Sequence, residues 1–248
     1  MTVRLGPRDI VSLIVLSEHY GAPLDLVAEM HGVSIRSAYR MAHRWREARL
    51  IAPLGRPQPG PAWVVPTAVT AESFLDFPVR HWAPSPKMVN HVTTVLRTRL
   101  ALVGLDSERW ISERELRHLV GPTRPGVERP HIHDGRYRTA DGQWWAVEVE
   151  LTPKTSTNVA WASIRSAREA AGRAGCDGLT YFCRGERVKK IITEAAKGLD
   201  PRDGPKVTLR DVDKFLLDNP IASVQSRPSL RLVVGGTDNP DATEGSAR

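Results

Sequence analysis

Residues 144–151 alternate without a break: Trp145, Val147, Val149 and Leu151 fall in one set, and Trp144, Ala146, Glu148 and Glu150 in the other. A two-residue period held this long requires an extended strand, with one set of side chains on each face of a sheet. The apolar set belongs on the core, so Glu148 and Glu150 share the opposite face. Just before the run, Asp141-Gly142 is a turn signal. A hairpin over about 131–151, centred on 141, places Asp134 opposite Glu148 to within a residue or two. The fold must therefore provide a sheet that gathers carboxylates near one edge.

The surrounding pattern supplies the rest of that sheet. Helices are predicted over 87–100, 112–120, 158–174 and 186–198, and strands over 178–183 and 207–209. This mixture makes an α/β (α+β) domain on a mixed sheet. Crowded carboxylates repel one another unless a proton or cation joins them, and hard oxygen ligands are what Mg2+ takes. Asp134, Glu148 and Glu150 with Lys154 just beyond the strand are thus candidates for catalysis, and Asp134 and Glu148 for metal binding. Glutamates at alternate positions on the solvated face of a sheet are the plainer reading of the same pattern.

The N-terminal quarter has a different rhythm. Helices are predicted over 10–20, 24–30 and 34–50, with Gly21 and Pro23 breaking the first and Gly32 turning the chain before the third. Ser34 suits the N-cap of that third helix. Apolar runs at 50–54 and 62–65 flank 55–61, whose three prolines and two glycines exclude a helix. Two short strands around such a tip, straight after a helix-turn-helix, form the wing of a winged helix. Along the third helix Ala38, Met41, Ala42, Trp45 and Ala48 form an apolar stripe, while Arg36, Arg40 and Arg44 recur every four residues on another face beside Ser37, His43 and Glu47. A helix in a major groove needs long donors on its exposed side, and the arginine fork serves both phosphates and guanine edges. Arg36, Ser37, Arg40, His43 and Arg44, with Arg56 at the wing tip, are the candidate DNA contacts. Trp45 belongs to the buried stripe rather than to base stacking.

The chain's formal charge of +7 agrees with an anionic partner. An acidic membrane surface would call for a basic amphipathic helix with large apolar residues, which the pattern lacks. The apolar stretch 10–16 is too short to span a bilayer, and no cleavage site follows it. Cys176 and Cys183 lie at the two ends of one strand region, about 23 Å apart if extended, beyond disulfide reach. Buried thiols in a reducing cytoplasm are the expectation. The boundaries expected are a DNA-binding unit over 1–76, a connector with a helix over 77–108, the mixed-sheet domain over 109–222, and a mostly disordered tail over 223–248.

Several runs resemble a known family. His91, Val92 and Leu96, the segment Trp110-Ile111-Ser112-Glu113-Arg114-Glu115-Leu116-Arg117, the His133-Asp134-Gly135 run, and above all Val147-Glu148-Val149-Glu150-Leu151-Thr152-Pro153-Lys154 look like the replication-relaxation proteins of actinobacterial plasmids and integrative elements. The resemblance covers roughly residues 8–215 and implies a DNA-binding factor acting in replication control or element transfer. The second half also resembles the PD-(D/E)XK nuclease superfamily, a restriction-endonuclease-like fold. That likeness implies Asp134 and Glu148 as metal ligands, Mg2+ as cofactor, and Glu113 or Glu115 as the acid of the first helix. His133 stands where that superfamily usually has proline. Glu150 stands where lysine is usual, although some members carry Glu there. Lys154 is the substitute from four residues later, or a phosphate ligand.

Two functions follow as expectations. One is a DNA-binding regulator of a mobile element; the other is a metal-dependent endonuclease or nickase using Asp134, Glu148, Glu150 and Lys154. Double-stranded DNA is the partner in both, and a homodimer is left open.

Overall fold

The computed structural model describes residues 5–122, 125–126 and 129–221. The tail expected to be disordered over 223–248 lies outside the described residues. Within them the chain is a mixed α/β protein with nine helices and a five-stranded mixed sheet.

The N-terminal unit begins with α1 (Pro7–Glu18), β1 (Ala22–Pro23), α2 (Leu24–His31) and α3 (Ile35–Glu47). Gly32 caps α2 in the left-handed region at φ 60°, the conformation that lets the chain reverse before α3. Ser34 caps α3, its hydroxyl accepting from Ser37 N at 3.3 Å. β2 (Trp63–Val64) pairs antiparallel with β1, joining Ala22 to Val64 and Pro23 to Trp63. Isolated antiparallel bridges from Ile51 to Pro66 and from Gly55 to Trp63 close residues 51–66 into a hairpin. A short helix that the sequence pattern did not mark, α4 (Ala68–Leu75), follows with Thr67 as its cap. Leu13, Leu16, Leu24, Leu26, Met30, Ala38, Ala42 and Trp45 form the core of this unit.

The second unit is built on the order β3-β4-β5-β6-β7. β3 (Trp110–Ser112), β4 (Gly135–Arg138) and β5 (Trp144–Glu150) run antiparallel, and β6 (Gly178–Cys183) and β7 (Lys206–Asp211) continue parallel to β5. Gly135 pairs with Val147, so the hairpin is centred on 141 and Asp134 lies across from Glu148. Gly135 is demanded by packing, because a Cβ there would meet the Trp110 ring at 2.2 Å. The crossovers are α7 (Thr157–Arg173) and α8 (Glu186–Ala196), which cover the sheet face carrying Ala146, Leu179, Tyr181 and Cys183. α9 (Val212–Asp218) and α5 (Pro86–Val103) cover the other face, against Val147, Val149 and Phe182. Both faces of β5 are therefore roofed by helices, so neither is the open solvated face that alternation alone allows. Cys176 and Cys183 are free, buried thiols.

α5 serves both units. Leu96 and Leu100 enter the N-terminal core, Val95 and Val103 the sheet core, and Val89 and Val92 pack with Trp63 of β2. On the same helix, Arg99 makes a buried ion pair with Glu18 at the end of α1. Desolvation of the pair pushes the Glu18 carboxyl up and the Arg99 guanidinium down from their usual ranges, while each charge partly restores the other. α6 (Glu113–Val120) adds Arg114, which donates to Ser17 O at 2.9 Å and covers the Tyr20 ring at 4.2 Å.

Candidate nucleic-acid interface and acid cluster

The exposed side of α3 follows from its buried side. Ala38, Ala42 and Trp45 are fully buried, and the Trp45 indole donates to Asp9 Oδ1 at 2.8 Å. That bond fixes the helix's rotation about its axis and leaves Arg36, Arg40, His43 and Arg44 exposed. Arg40 donates to Ser37 Oγ at 3.1 Å, so Ser37 serves both the cap and the arginine. His43 lies 3.8 Å from Glu47, both well exposed. Arg44 is not unopposed: it reaches Asp9 at 3.4 Å. Arg36 and Arg56 have no ion-pair partner among the described residues, and Arg56 is exposed in the hairpin that follows α3.

The acid cluster is built differently, because each carboxylate meets a base. Asp134 accepts from Val149 N at 2.7 Å and meets His91 Nε2 of α5 at 3.0 Å. Glu148 Oε1 lies 2.7 Å from His131 Nε2. Lys154 Nζ reaches back to Glu150 Oε2 at 2.5 Å. His91 feels burial, which lowers its pKa, but its hydrogen bond to Asp134 and the charges of Asp134, Glu113 and Glu148 raise it overall. His131 behaves alike, burial opposing the larger combined pull of Glu148 and Asp134. Burial drives Glu148 up to about 7, helped by the charge of Asp134 and resisted by His131 and Lys154. His133 is fully buried, and its Nε2 donates to Ala167 O of α7 at 2.9 Å. Desolvation takes it down to about 4, so the ring is neutral at neutral pH.

The structure separates the two candidate acids of α6. Glu115 Oε2 accepts from Ser112 N and Oγ, both at 2.7 Å, and is spent on a capping box. Glu113 pairs with Arg117 and lines a cavity of about 20 Å³ together with Glu18, His19, His91 and Asp134. The bases His91 and His131 carried no assigned role in the sequence reading. The partner of Asp134 lies 43 residues away on another helix, and no local spacing announces it. His131-x-His133 beside Asp134 was the one local signal available.

No protein-family model, curated protein or solved structure matches this chain.

The Mg2+ implied by the nuclease resemblance fits these residues poorly. Both oxygens of Asp134 are engaged, Glu150 is neutralised by Lys154, and the donors around Glu148 are imidazoles. Mg2+ favours oxygen ligands and retained water, whereas imidazole suits later transition ions. Among the described residues no helix is long and apolar enough to cross a membrane.

Proposed function

We propose that the protein is a sequence-specific DNA-binding regulator of a plasmid or integrative element, acting in replication control, transfer or transcription. In this reading α1–α3, β1 and the hairpin of 51–66 are a winged helix-turn-helix, α3 is the recognition helix, and the mixed-sheet unit is a nuclease-like scaffold for DNA or partner contacts. The observation that carries it is the exposed arginine row of Arg36, Arg40 and Arg44 on a helix anchored by Trp45, with Arg56 on the adjoining hairpin. The row presents guanidinium forks to a groove, and Arg56 reaches for phosphate.

The decisive experiment is binding to the element's own DNA at one fixed salt concentration. Arg40→Ala should weaken binding by about 1–3 kcal/mol if Arg40 reads a base, and by less if it holds a phosphate. The triple alanine variant of Arg36, Arg40 and Arg44 should also show a shallower salt dependence, each lost phosphate contact removing roughly one from the slope. Binding by the triple variant as tight as the parent would overturn the reading. The endonuclease alternative is favoured by one observation, Asp134 lying across from Glu148. The base held by each carboxylate argues against it. Supercoiled plasmid should therefore stay intact with Mg2+ or Mn2+, and nicking that disappears in both Glu148→Gln and Lys154→Ala would reverse that preference.

A further inference from the structure

We propose that His131, His133 and Glu148 form a binding site for a divalent transition-metal ion of the Zn2+ type. One ligand atom from each residue lies within 4.8 Å of the other two. Donors around a tetrahedral Zn2+ are about 3.3 Å apart, given metal–nitrogen bonds of about 2.0–2.1 Å. His131 Nε2 and Glu148 Oε1 already lie 2.7 Å apart, so a small spreading of this pair and an approach by His133 would complete the set. Two imidazoles and one carboxylate are a donor set found on zinc and other later ions.

The surroundings are arranged as such a site needs. His133 is the decisive residue. Its Nε2 hydrogen is committed to Ala167 O, which fixes the tautomer and leaves Nδ1 with its lone pair. A ligating imidazole held by a backbone carbonyl through its other nitrogen is the usual outer-shell support of a metal site. The only donor facing Nδ1 among the described residues is Arg136 Nε at 3.5 Å, a long contact that an ion would outcompete. His131 and Glu148 are mostly buried but retain an opening to solvent, with side-chain exposures of 21% and 15%. Asp134 adds negative charge next to Glu148 and Lys154 is neutralised by Glu150, while the Arg136 guanidinium beside His133 would have to swing aside as the ion enters. The ion would tie the segment before β4 to the middle of the sheet. This site stands independently of the DNA-binding reading.

The test uses the full chain, stripped with chelator and titrated with Zn2+ in the presence of a competing chromophoric chelator. One Zn2+ per chain should bind, and a hundredfold excess of Mg2+ should not displace it. His131→Ala and Glu148→Gln, each verified as folded by circular dichroism, should bind at least tenfold more weakly, whereas the exposed-site variant His81→Ala should bind as the parent does. Because truncating buried His133 endangers folding, its part is read in the parent protein, where the imidazole resonances of both His131 and His133 should shift on Zn2+ addition. Unchanged Zn2+ affinity in both variants, displacement by Mg2+, or unmoved His131 and His133 resonances would each overturn the site.

Discussion

The exposed face of α3 and the acid cluster beside β5 both gather charged side chains and treat them in opposite ways. On α3, Arg36 stands in water without an ion-pair partner among the described residues, and Arg40 has only a serine hydroxyl. At the cluster, Asp134, Glu148 and Glu150 are each held by a base, two of those bases being histidines. Free cations keep their full attraction for an incoming polyanion. Carboxylates already paired have little unspent charge for a hard ion such as Mg2+. On the proposed function the first region is the one suited to a polyanion, and the second suits ligands that can displace a proton or a weak contact.

The sharpest way to break the comparison is to disturb what joins the two regions. Arg99→Met leaves Glu18 buried without its cation, and loss of one partner of a buried pair costs roughly 3–5 kcal/mol. The double variant Glu18→Gln/Arg99→Met should recover much of that loss in denaturant unfolding. If Arg99→Met alone were harmless, the pair would not hold the units together. A similar loss, about 3–5 kcal/mol, is expected for Trp45→Ala, since the indole is fully buried and bonded to Asp9. A parent-like melting temperature combined with lost DNA binding would mean that Trp45 reads DNA rather than anchors α3.

Proton titration sharpens the contrast with smaller effects. Burial depresses His19, helped by the Arg99 and Arg114 charges, and depresses His31. What they contribute to stability is complete above the unfolded imidazole value of about 6.5 and is lost as pH falls through their folded values. His91 and His131 have raised values, so their contribution is complete below about 6.5 and is lost as pH rises through the folded values. His91→Gln should therefore cost more stability near about pH 5.5 than near about pH 8.5. Imidazole resonances recorded in chelator should divide the same way, and a single common midpoint for all four rings would abolish the distinction. The smallest effect belongs to Arg44→Ala. Its guanidinium is half exposed, so loss of the Asp9 contact should change stability by less than about 0.5 kcal/mol while DNA binding weakens. A larger stability loss would assign Arg44 to the framework rather than to the DNA-facing row.

What was legible in the sequence followed from short range. The Gly32 turn, the Ser34 cap, the apolar stripe ending at Trp45, and a hairpin centred on 141 are each set within a few residues, and the structure has them. β1 went unread because a two-residue strand has no period to detect, and α4 because its apolar residues do not mark one face: Val69 is exposed while Thr70 is buried. Alternation along β5 suggested one open face. It could not foretell α7 and α8 closing over Ala146, since the covering residues arrive from later in the chain. The cluster was legible only in its acids, which are local to the hairpin, while His91 comes from α5. The DNA-binding and family readings still rest on the arginine row and the quoted motifs.

The double duty of α5 bears on how such a molecule can be dismantled or rebuilt. A helix that supplies Leu96 and Leu100 to one core and Val95 and Val103 to the other cannot be assigned to either side of a cut. Severing the chain before it strips the N-terminal unit of its lining, and severing after it opens the sheet. The N-terminal unit is thus no interchangeable cassette: transplanting it to another body means carrying α5 along and giving the abandoned sheet a new roof.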